Sequence, residues 1–161
     1  MKILYKSLRV GLHGKLFKLF KFKSMRDESG SSSTSENDPR ITFIGRLLRK
    51  TKLDELPELW NILKGDMAFV GPRPTLPEVI ATLEPEVREI ILSVKPGLTG
   101  WGTLYDFNEE ERLKGAQDPH KKFLEEIYPE IIKREIWYVQ HKSLWLDIKI
   151  IFLTLWKIIK R

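Results

Sequence analysis

Hydrophobic and basic residues alternate along the first part of the chain. Residues 15–23, KLFKLFKFK, place aromatic and leucine side chains between lysines, as expected for a half-buried strand. Residues 3–10 show a similar extended pattern, and Gly11 and Gly14 between the two segments are free to adopt positive φ. This pattern predicts a β-hairpin over residues 3–23.

Helical spacing of hydrophobic residues begins after this hairpin. Asp38 followed by Pro39 is typical of an N-cap and a first helical position, which predicts a helix over 39–50. A second helix is predicted from about Asp54 to Lys64, with Gly65 as its end. Together with the hairpin, these segments indicate an α+β fold that is mostly helical.

The remaining segments continue this organisation. Helices are predicted over 84–93 and 121–139, the second with a bend or break at Pro129. Residues 27–38, DESGSSSTSEND, have no hydrophobic side chain to bury and are predicted to form a mobile surface loop. Residues 96–101, PGLTGW, are predicted to form a turn with two glycines.

The last segment, residues 143–160, is predicted to be an amphipathic helix with a wide apolar face. Four of its polar residues and the following arginine fall in one narrow stripe: Ser143, Asp147, Thr154, Lys157 and Arg161. Such a helix either inserts into a groove of its own protein or lies flat in a membrane interface. The sequence leaves both interpretations open.

Length and charge narrow the possible classes of protein. A chain of 161 residues with 42% hydrophobic content favours a single domain over 1–161. Residues 1–26 carry eight Lys or Arg and no acidic residue, and residues 141–161 carry five with Asp147 as their one acidic residue. Basic ends favour an anionic partner: phospholipid, nucleic acid or a phosphorylated substrate. The chain has no cysteine, which excludes disulfides and thiolate chemistry.

Three charged residues are candidates for chemistry. Asp54 and Glu55 lie at a predicted helix start, where unpaired N–H groups favour an ionised carboxylate. Such a pair can hold a divalent cation, act as a nucleophile or take a proton. Arg73 lies between Pro72 and Pro74 and suits bidentate phosphate binding. These residues alone leave two interpretations: a site for a diphosphate and its metal, or a helix cap and a rigid turn.

Several motifs occur in a specific order over about residues 8–157: KFKSMR, DPRITFIGRLLRKTKLDELPELWNILKGDMAFVGPRP, KPGLTGW and WYVQHKSLWLDIKIIFLTLW. In this order they closely resemble the bacterial sugar transferase family, the monotopic polyprenyl-phosphate phosphoglycosyl transferases. The resemblance implies transfer of a sugar phosphate from a nucleoside-diphosphate sugar to polyprenyl phosphate. This reaction initiates surface polysaccharide or glycan synthesis at the cytoplasmic face of the bacterial inner membrane.

The resemblance also implies roles for the three candidate residues. Asp54 matches the covalent nucleophile of the family, which forms a phosphosugar-aspartyl intermediate. Asp54 and Glu55 match the dyad that has a magnesium ion nearby, and Arg73 matches the arginine that binds substrate phosphate. Glu55 is expected either to position the metal or to manage the proton of the acceptor.

The match breaks at two places. In the family, a membrane-entering helix precedes the segment that begins here with LYKSLRV, and this sequence starts just after its expected position. Residues 102–104 and 105–107, GTL and YDF, stand where the family commonly has Ala-Gln-Val-like and Asn-Gly-Arg-like motifs.

These departures leave three alternatives for the function. The first is a phosphoglycosyl transferase whose coding region was assigned too short or whose gene has lost its start, so that the longer protein is the enzyme. The second is a truncated, weak or inactive remnant that binds membrane or a partner. The third, a nucleic-acid binder, ranks last because no groove-reading motif is present, so no nucleic-acid partner is expected. For the chain as given, peripheral binding to an anionic membrane surface is expected.

Overall fold

A computed structural model describes residues 3–26 and 38–160 of the chain. The predicted hairpin is confirmed: β1 (Leu4–Val10) pairs antiparallel with β2 (Leu16–Phe22), with Leu4 opposite Phe22. In the connection Gly14 has φ of 80°, whereas Gly11 has φ of −112°. The second positive φ belongs to His13, a residue type that tolerates the left-handed region better than most.

Helices make up most of the remaining described structure. They are α1 (Phe43–Lys50), α2 (Glu58–Leu63), α3 (Pro77–Ala81), α4 (Pro85–Leu92), α5 (Trp101–Tyr105), α6 (Glu109–Arg112), α7 (Pro119–Lys122), α8 (Tyr128–His141) and α9 (Leu144–Lys160). The predicted mostly helical α+β fold is confirmed. The predicted mobile loop lies, except for Asp38, outside the described residues.

Three buried clusters hold these elements together. The largest lies where α8 packs against α4, and its members are Val79, Ile91, Leu113, Phe123, Ile127, Tyr128, Ile131 and Ile132. A second joins β3 (Ala68–Val70) to helices α5, α8 and α9 through Val70, Leu104, Tyr138 and Ile150. A third packs Phe17 and Leu19 of the hairpin on Met67. The second and third clusters position the segments that carry the candidate site.

The prediction of a turn over 96–101 is wrong for its central residues. β4 (Gly97–Thr99) pairs in parallel with β3, with Ala68 opposite Gly97. A Cβ atom on Gly97 would collide with the backbone nitrogen of Gly71. The two glycines therefore allow a close approach of two backbones, which a short glycine-containing segment does not reveal by hydrophobic alternation.

The first predicted helix begins later than its sequence suggested. α1 starts at Phe43, and the Thr42 hydroxyl caps it by accepting from the Gly45 N–H at 2.9 Å. The Asp38 carboxylate instead accepts from the backbone N–H of Arg40 at 2.9 Å and from its guanidinium at 2.7 Å. The predicted start at residue 39 is wrong because Asp38 is used in a local turn.

The helix predicted from Asp54 to Lys64 is divided. A 3₁₀ turn over Leu53–Glu55 comes first, and α2 follows with Pro57 at its N-cap. Gly65 has φ of 82° and ends the segment as predicted. Because Lys52 and Pro57 occupy the two N-cap positions, the interpretation of Asp54 as a helix cap is wrong.

The irregularity expected near Pro129 is present. α7 runs through a π-helical turn, Phe123–Ile127, into α8, and Pro129 lies in the first turn of α8. Proline is tolerated there because its missing N–H would have no intrahelical partner. The helix predicted over 84–93 is also confirmed, as α4.

α9 packs on the protein with its polar stripe. Three polar side chains bond to other elements: Asp147 accepts from the Tyr138 hydroxyl (2.7 Å), the Thr154 hydroxyl bonds that of Thr99 (2.7 Å), and Lys157 donates to the Leu104 carbonyl (2.6 Å). Ile150 is fully buried between them. Most of its exposed side chains are apolar: Leu144, Trp145, Ile148, Ile151, Phe152, Leu155, Trp156 and Ile159. The groove interpretation is therefore wrong for the apolar face, which is exposed.

Within residues 3–26 and 38–160, none of the helices combines the length and the apolar character needed to span a bilayer.

Candidate active site

The acidic dyad lies in the 3₁₀ turn between α1 and α2. Lys52 adopts the left-handed conformation, with φ of 58°, and turns the chain into Leu53–Glu55. Asp54 is only 8% exposed, and its Oδ1 atom has no hydrogen-bond partner among the described residues. A buried carboxylate oxygen without a partner is unfavourable for stability, and such atoms often belong to functional sites.

Lys21 of β2 is the cation nearest the dyad. Its Nζ lies 3.3 Å from Oε1 of Glu55 and 3.1 Å from Oε1 of Glu58. Glu58 is buried in the first turn of α2, and Lys52 adds a longer contact of 3.9 Å to Glu55. The hairpin therefore supplies a positive charge shared by two carboxylates next to Asp54.

Asn61 fixes the hairpin against this acidic segment. The side chain is fully buried in α2, and its Nδ2 donates to the Lys18 carbonyl at 2.8 Å. Its Oδ1 accepts from the Phe20 N–H at 3.1 Å. These bonds hold the strand that carries Lys21 in register with α2.

The environment shifts the pKa values of the three carboxylates in different directions. Burial raises the pKa of Asp54, and the neighbouring charge of Glu55 adds to this effect. For Glu55, burial acts upward, but the charges of Lys21, Lys52 and Arg73 outweigh it and lower its pKa. Burial raises the pKa of Glu58. The site therefore keeps Glu55 ionised while making the charge on Asp54 harder to sustain without a cation.

Arg73 lies in the loop after β3. Its backbone N–H and its guanidinium are each held by a carboxylate. Its backbone N–H donates to Oε1 of Glu135 at 2.8 Å, and its Nη1 lies 2.7 Å from Oε2 of Glu109. Its side chain remains 40% exposed. Arg73 makes no direct contact with Asp54 or Glu55 among the contacts of the described residues, but its charge helps to lower the pKa of Glu55. The structure thus places all three predicted residues in one electrostatic neighbourhood.

A second acidic cluster lies beside Glu109. Asp106 accepts from Arg112 at 2.8 Å, and its Oδ2 atom has no partner in the described part of the chain. Burial raises the pKa of Asp106, with a further contribution from Glu109. The guanidinium of Arg134 stacks 3.6 Å above the Tyr105 ring. Residues 105–107, where the family resemblance broke, therefore lie next to the cluster that contacts Arg73.

Sequence reasoning missed Lys21, Glu58, Glu109 and Glu135. Glu58 could have been found, because it follows Glu55 by three residues and such side chains share a helix face. Lys21 lies 34 residues before its partner Glu55, and Glu135 lies 62 residues after its partner Arg73. No local spacing in the sequence connects either pair. No group of three or more acidic or histidine side chains that could enclose a metal occurs among the described residues.

A family model for bacterial sugar transferases matches residues 1–161. The chain belongs to this family. The predicted family is therefore confirmed, and with it the prediction of a transferase. The extent of a single domain over 1–161 and the roles of Asp54, Glu55 and Arg73 stay predictions.

Three curated relatives match nearly the whole chain but differ in how much of their own length is matched. The chain is 40% identical over 158 residues to "Uncharacterized sugar transferase EpsL" of Bacillus subtilis (strain 168), covering 98% of this chain and 70% of the relative. It is 37% identical over 177 residues to "Undecaprenyl-phosphate galactose phosphotransferase" of Salmonella typhimurium, covering 98% and 33%. It is 35% identical over 164 residues to "UDP-glucose:undecaprenyl-phosphate glucose-1-phosphate transferase" of Escherichia coli (strain K12), covering 96% and 32%. This sugar transferase chain spans about a third of the last two relatives.

Proposed function

We propose that this protein is a phosphoglycosyl transferase that moves a sugar phosphate from a nucleoside-diphosphate sugar to polyprenyl phosphate. The reaction would initiate synthesis of a surface polysaccharide or glycan. The names of two relatives, which combine undecaprenyl phosphate with galactose or UDP-glucose, support this substrate class. The structural observation that carries the proposal is the buried Asp54 carboxylate, whose unpaired oxygen lies beside the Glu55–Lys21 ion pair.

In the first step, a carboxylate oxygen of Asp54 attacks the sugar-proximal phosphorus of the donor. The bond from this phosphorus to the bridging oxygen breaks, and nucleoside monophosphate leaves with the electron pair. In the second step, a phosphate oxygen of polyprenyl phosphate attacks the same phosphorus, and Asp54 leaves as the free carboxylate. Asp54 serves as both nucleophile and leaving group, so no external oxidant or reductant is needed.

Asp54 and Glu55 fit a magnesium ion as an open site. Magnesium usually takes one or two protein carboxylates and completes its octahedron with water and substrate phosphates. The unpaired Oδ1 of Asp54 and the ionised Glu55 supply the hard oxygen atoms that this cation prefers. When bound, magnesium would neutralise charge that develops on the transferred phosphoryl group. Glu55 would then hold the ion next to Asp54, or manage the proton of the acceptor.

Arg73 is proposed to bind the donor diphosphate. The flanking residues Pro72 and Pro74 limit its backbone, while its side chain is 40% exposed. A planar guanidinium can donate two parallel hydrogen bonds to phosphate oxygens. Such bonds would orient the diphosphate so that its leaving oxygen points away from Asp54, which is the requirement for in-line attack.

Two exposed apolar surfaces support binding to a membrane. One is the outward face of α9, where Trp145 is 78% exposed. The other lies on α1, the dyad turn and α2, and consists of Phe43, Ile44, Leu47, Leu53, Leu56, Leu59, Trp60 and Leu63. Because the second surface includes residues of the dyad turn and of the helices on either side of it, binding it to lipid would bring Asp54 close to a membrane-bound acceptor. We propose peripheral binding at the cytoplasmic face of the bacterial inner membrane.

Vesicle flotation tests this membrane proposal. Basic residues of the hairpin add about 1 kcal/mol each near anionic lipid, and this electrostatic part is screened by salt. The protein should float with anionic vesicles at low salt, and much of it should be lost at roughly 0.5–1 M salt, where the Debye length falls to a few Å. A Trp145→Glu/Phe152→Glu variant should float less at every salt concentration. Wild-type protein that stays at the bottom at low salt would contradict peripheral binding.

A turnover assay tests the proposed reaction. The protein, in detergent with magnesium and undecaprenyl phosphate, would be incubated with UDP-glucose, UDP-galactose and UDP-N-acetylglucosamine in turn. Release of UMP that depends on the lipid acceptor, together with a lipid-linked sugar diphosphate, is the expected result. Absence of both products with every donor would contradict the proposal for this chain.

A further inference from the structure

Arg73 is bound at both ends by carboxylates from two later helices. Glu135 of α8 accepts from its backbone N–H, and Glu109 of α6 contacts its Nη1 atom at 2.7 Å. Both acidic side chains are shielded from water: Glu135 is buried, and the Glu109 side chain is 17% exposed. Glu135 fixes the backbone of Arg73 and Glu109 contacts the end of its side chain, so part of the rotational freedom of this residue is lost before any ligand arrives.

We propose that Glu109 is a positioning residue for Arg73, which it holds so that the free edge of the guanidinium meets the donor diphosphate. This inference rests on the proposed function. It assigns a role to α6, a part of the chain to which the sequence motifs gave none.

The geometry indicates that Glu109 orients Arg73 and does not compete with the ligand for it. Within the described residues, the guanidinium of Arg73 forms one ion pair, between its Nη1 atom and Glu109. The guanidinium carries donors along more than one edge, so one edge can bind a carboxylate while another binds phosphate. Since the side chain is 40% exposed, a second edge is open to a ligand.

The backbone contact makes the orientation more definite. Glu135 fixes the N–H of Arg73, and Pro72 and Pro74 restrict the residues on either side. Gly102 in α5 makes room for this carboxylate, because a Cβ there would lie 2.8 Å from the Glu135 Cγ and 2.9 Å from its Oε1. With the backbone fixed from one side, the Glu109 contact at the far end of the side chain determines where the guanidinium points.

Two substitutions of Glu109 separate its hydrogen-bond acceptor from its charge. Glu109→Ala removes both, whereas Glu109→Gln keeps an amide oxygen that can accept from Nη1. Glu111→Ala is the matched control, because it removes one negative charge from an exposed position of the same helix. If Glu109 positions Arg73, then Glu109→Ala should weaken the binding of pyrophosphate, and Glu109→Gln should bind it nearly as well as wild type.

Calorimetric titration with inorganic pyrophosphate in magnesium chloride measures this effect without requiring turnover. Glu109→Ala should weaken pyrophosphate binding about tenfold, a loss typical of removing a group that orients a ligand-binding residue. Glu109→Gln should stay within about threefold of wild type, and Glu111→Ala should match wild type. All variants should keep the wild-type circular dichroism spectrum, which is the check on folding.

Other outcomes of this titration overturn the inference. Glu109→Ala binding as tightly as wild type, or more tightly, would mean that Glu109 is neutral or competes with phosphate. Equal losses in the Ala and Gln variants would mean that the acceptor atom does not matter. Wild-type protein that does not bind pyrophosphate would also overturn it. Failure of the proposed reaction is seen separately, as absence of UMP release in the turnover assay.

Discussion

Two basic residues in the described part of this protein each contact two carboxylates, Lys21 through its ammonium alone and Arg73 through its guanidinium and its backbone N–H. The partners are Glu55 and Glu58 for Lys21, and Glu109 and Glu135 for Arg73. The carboxylates around Lys21 come from one short stretch next to Asp54, whereas those around Arg73 come from two separate helices. The first cluster lowers the pKa of Glu55, and the second is proposed to set the direction of an exposed guanidinium.

This difference follows from the chemistry of the two cations. The Lys21 ammonium is a compact charge, and both of its contacts lie on the dyad side. The Arg73 guanidinium is a planar fork that can bind a carboxylate and a phosphate on separate edges. The comparison indicates that one cation lowers the pKa of Glu55, while the other keeps an exposed guanidinium that is proposed to bind the substrate.

The largest expected effect is at Asp54, inside the first cluster. Asp54→Asn keeps the size of the side chain but removes the nucleophilic carboxylate, so UMP release should fall by about 10⁴-fold or more. Asp66→Asn makes the same chemical change just beyond α2, where the carboxylate pairs with Lys64 at the surface, and should retain activity. An Asp54→Asn variant with more than about a tenth of wild-type activity would exclude Asp54 as the nucleophile.

The next largest effect is expected at Arg73, in the second cluster. Arg73→Lys should lower kcat/KM on the order of 10²-fold, because an ammonium cannot bind Glu109 and phosphate through separate edges. Steady-state kinetics with the donor concentration varied measures this loss. Arg134→Lys is the control, since it changes an arginine that stacks on Tyr105 away from the dyad. Unchanged kinetics in Arg73→Lys would return residues 72–74 to the status of a structural turn.

A smaller effect on activity is expected at Lys21, whose charge lowers the pKa of Glu55. Lys21→Met removes the main charge that lowers the pKa of Glu55, so that pKa should rise. If Glu55 acts in its ionised form, the acid limb of the pH–activity profile should move to higher pH. Lys18→Met, on the exposed side of the same strand, should leave the profile in place. An acid limb that does not move in Lys21→Met would show that this ion pair does not control the active form.

The last prediction concerns Glu135 and changes the stability of the protein instead of its activity. Burial raises its pKa to about 7, above the ordinary 4.5 of a glutamate. The folded state therefore binds a proton that the unfolded state releases between these values. This contribution to the free energy of unfolding is complete below about pH 4.5 and is lost as pH rises through about 7.

Glu135→Gln should remove that pH dependence while keeping an oxygen for the Arg73 N–H. The difference between wild type and variant should change by up to about 3 kcal/mol between pH 4.5 and 7, measured by urea unfolding. The exposed Glu111→Gln serves as control. Parallel pH curves for wild type and Glu135→Gln would mean that Glu135 is already ionised in the folded protein.

The comparison also shows what the sequence could predict. Asp54, Glu55 and Arg73 stand out because short motifs place them together, and the hairpin and α9 follow from simple periodicity. Glu109 and Glu135 could not be found this way, because they reach Arg73 only through the packing of α5, α6 and α8. The parallel pairing of β3 with β4 was missed for a similar reason, since close glycine backbones leave no hydrophobic pattern.

The orientation of α9 could not be decided from the sequence for a different reason. The periodicity identified the polar stripe, but this pattern fits both a groove of the protein and a membrane interface. In the structure, Asp147, Thr154 and Lys157 instead bond to the protein and leave the apolar side chains outside. A period gives the two faces of a helix, but only the neighbouring groups decide which of them is buried.

Mass spectrometry of the covalent intermediate tests the central proposal most directly. The protein would be incubated with magnesium and each UDP-sugar in the absence of lipid acceptor, quenched, and digested with trypsin. The account predicts a sugar-phosphate adduct on the peptide of residues 53–64, which contains Asp54, and loss of this adduct when undecaprenyl phosphate is added. An adduct that persists on this peptide in Asp54→Asn, or turnover without any adduct on it, would contradict the account.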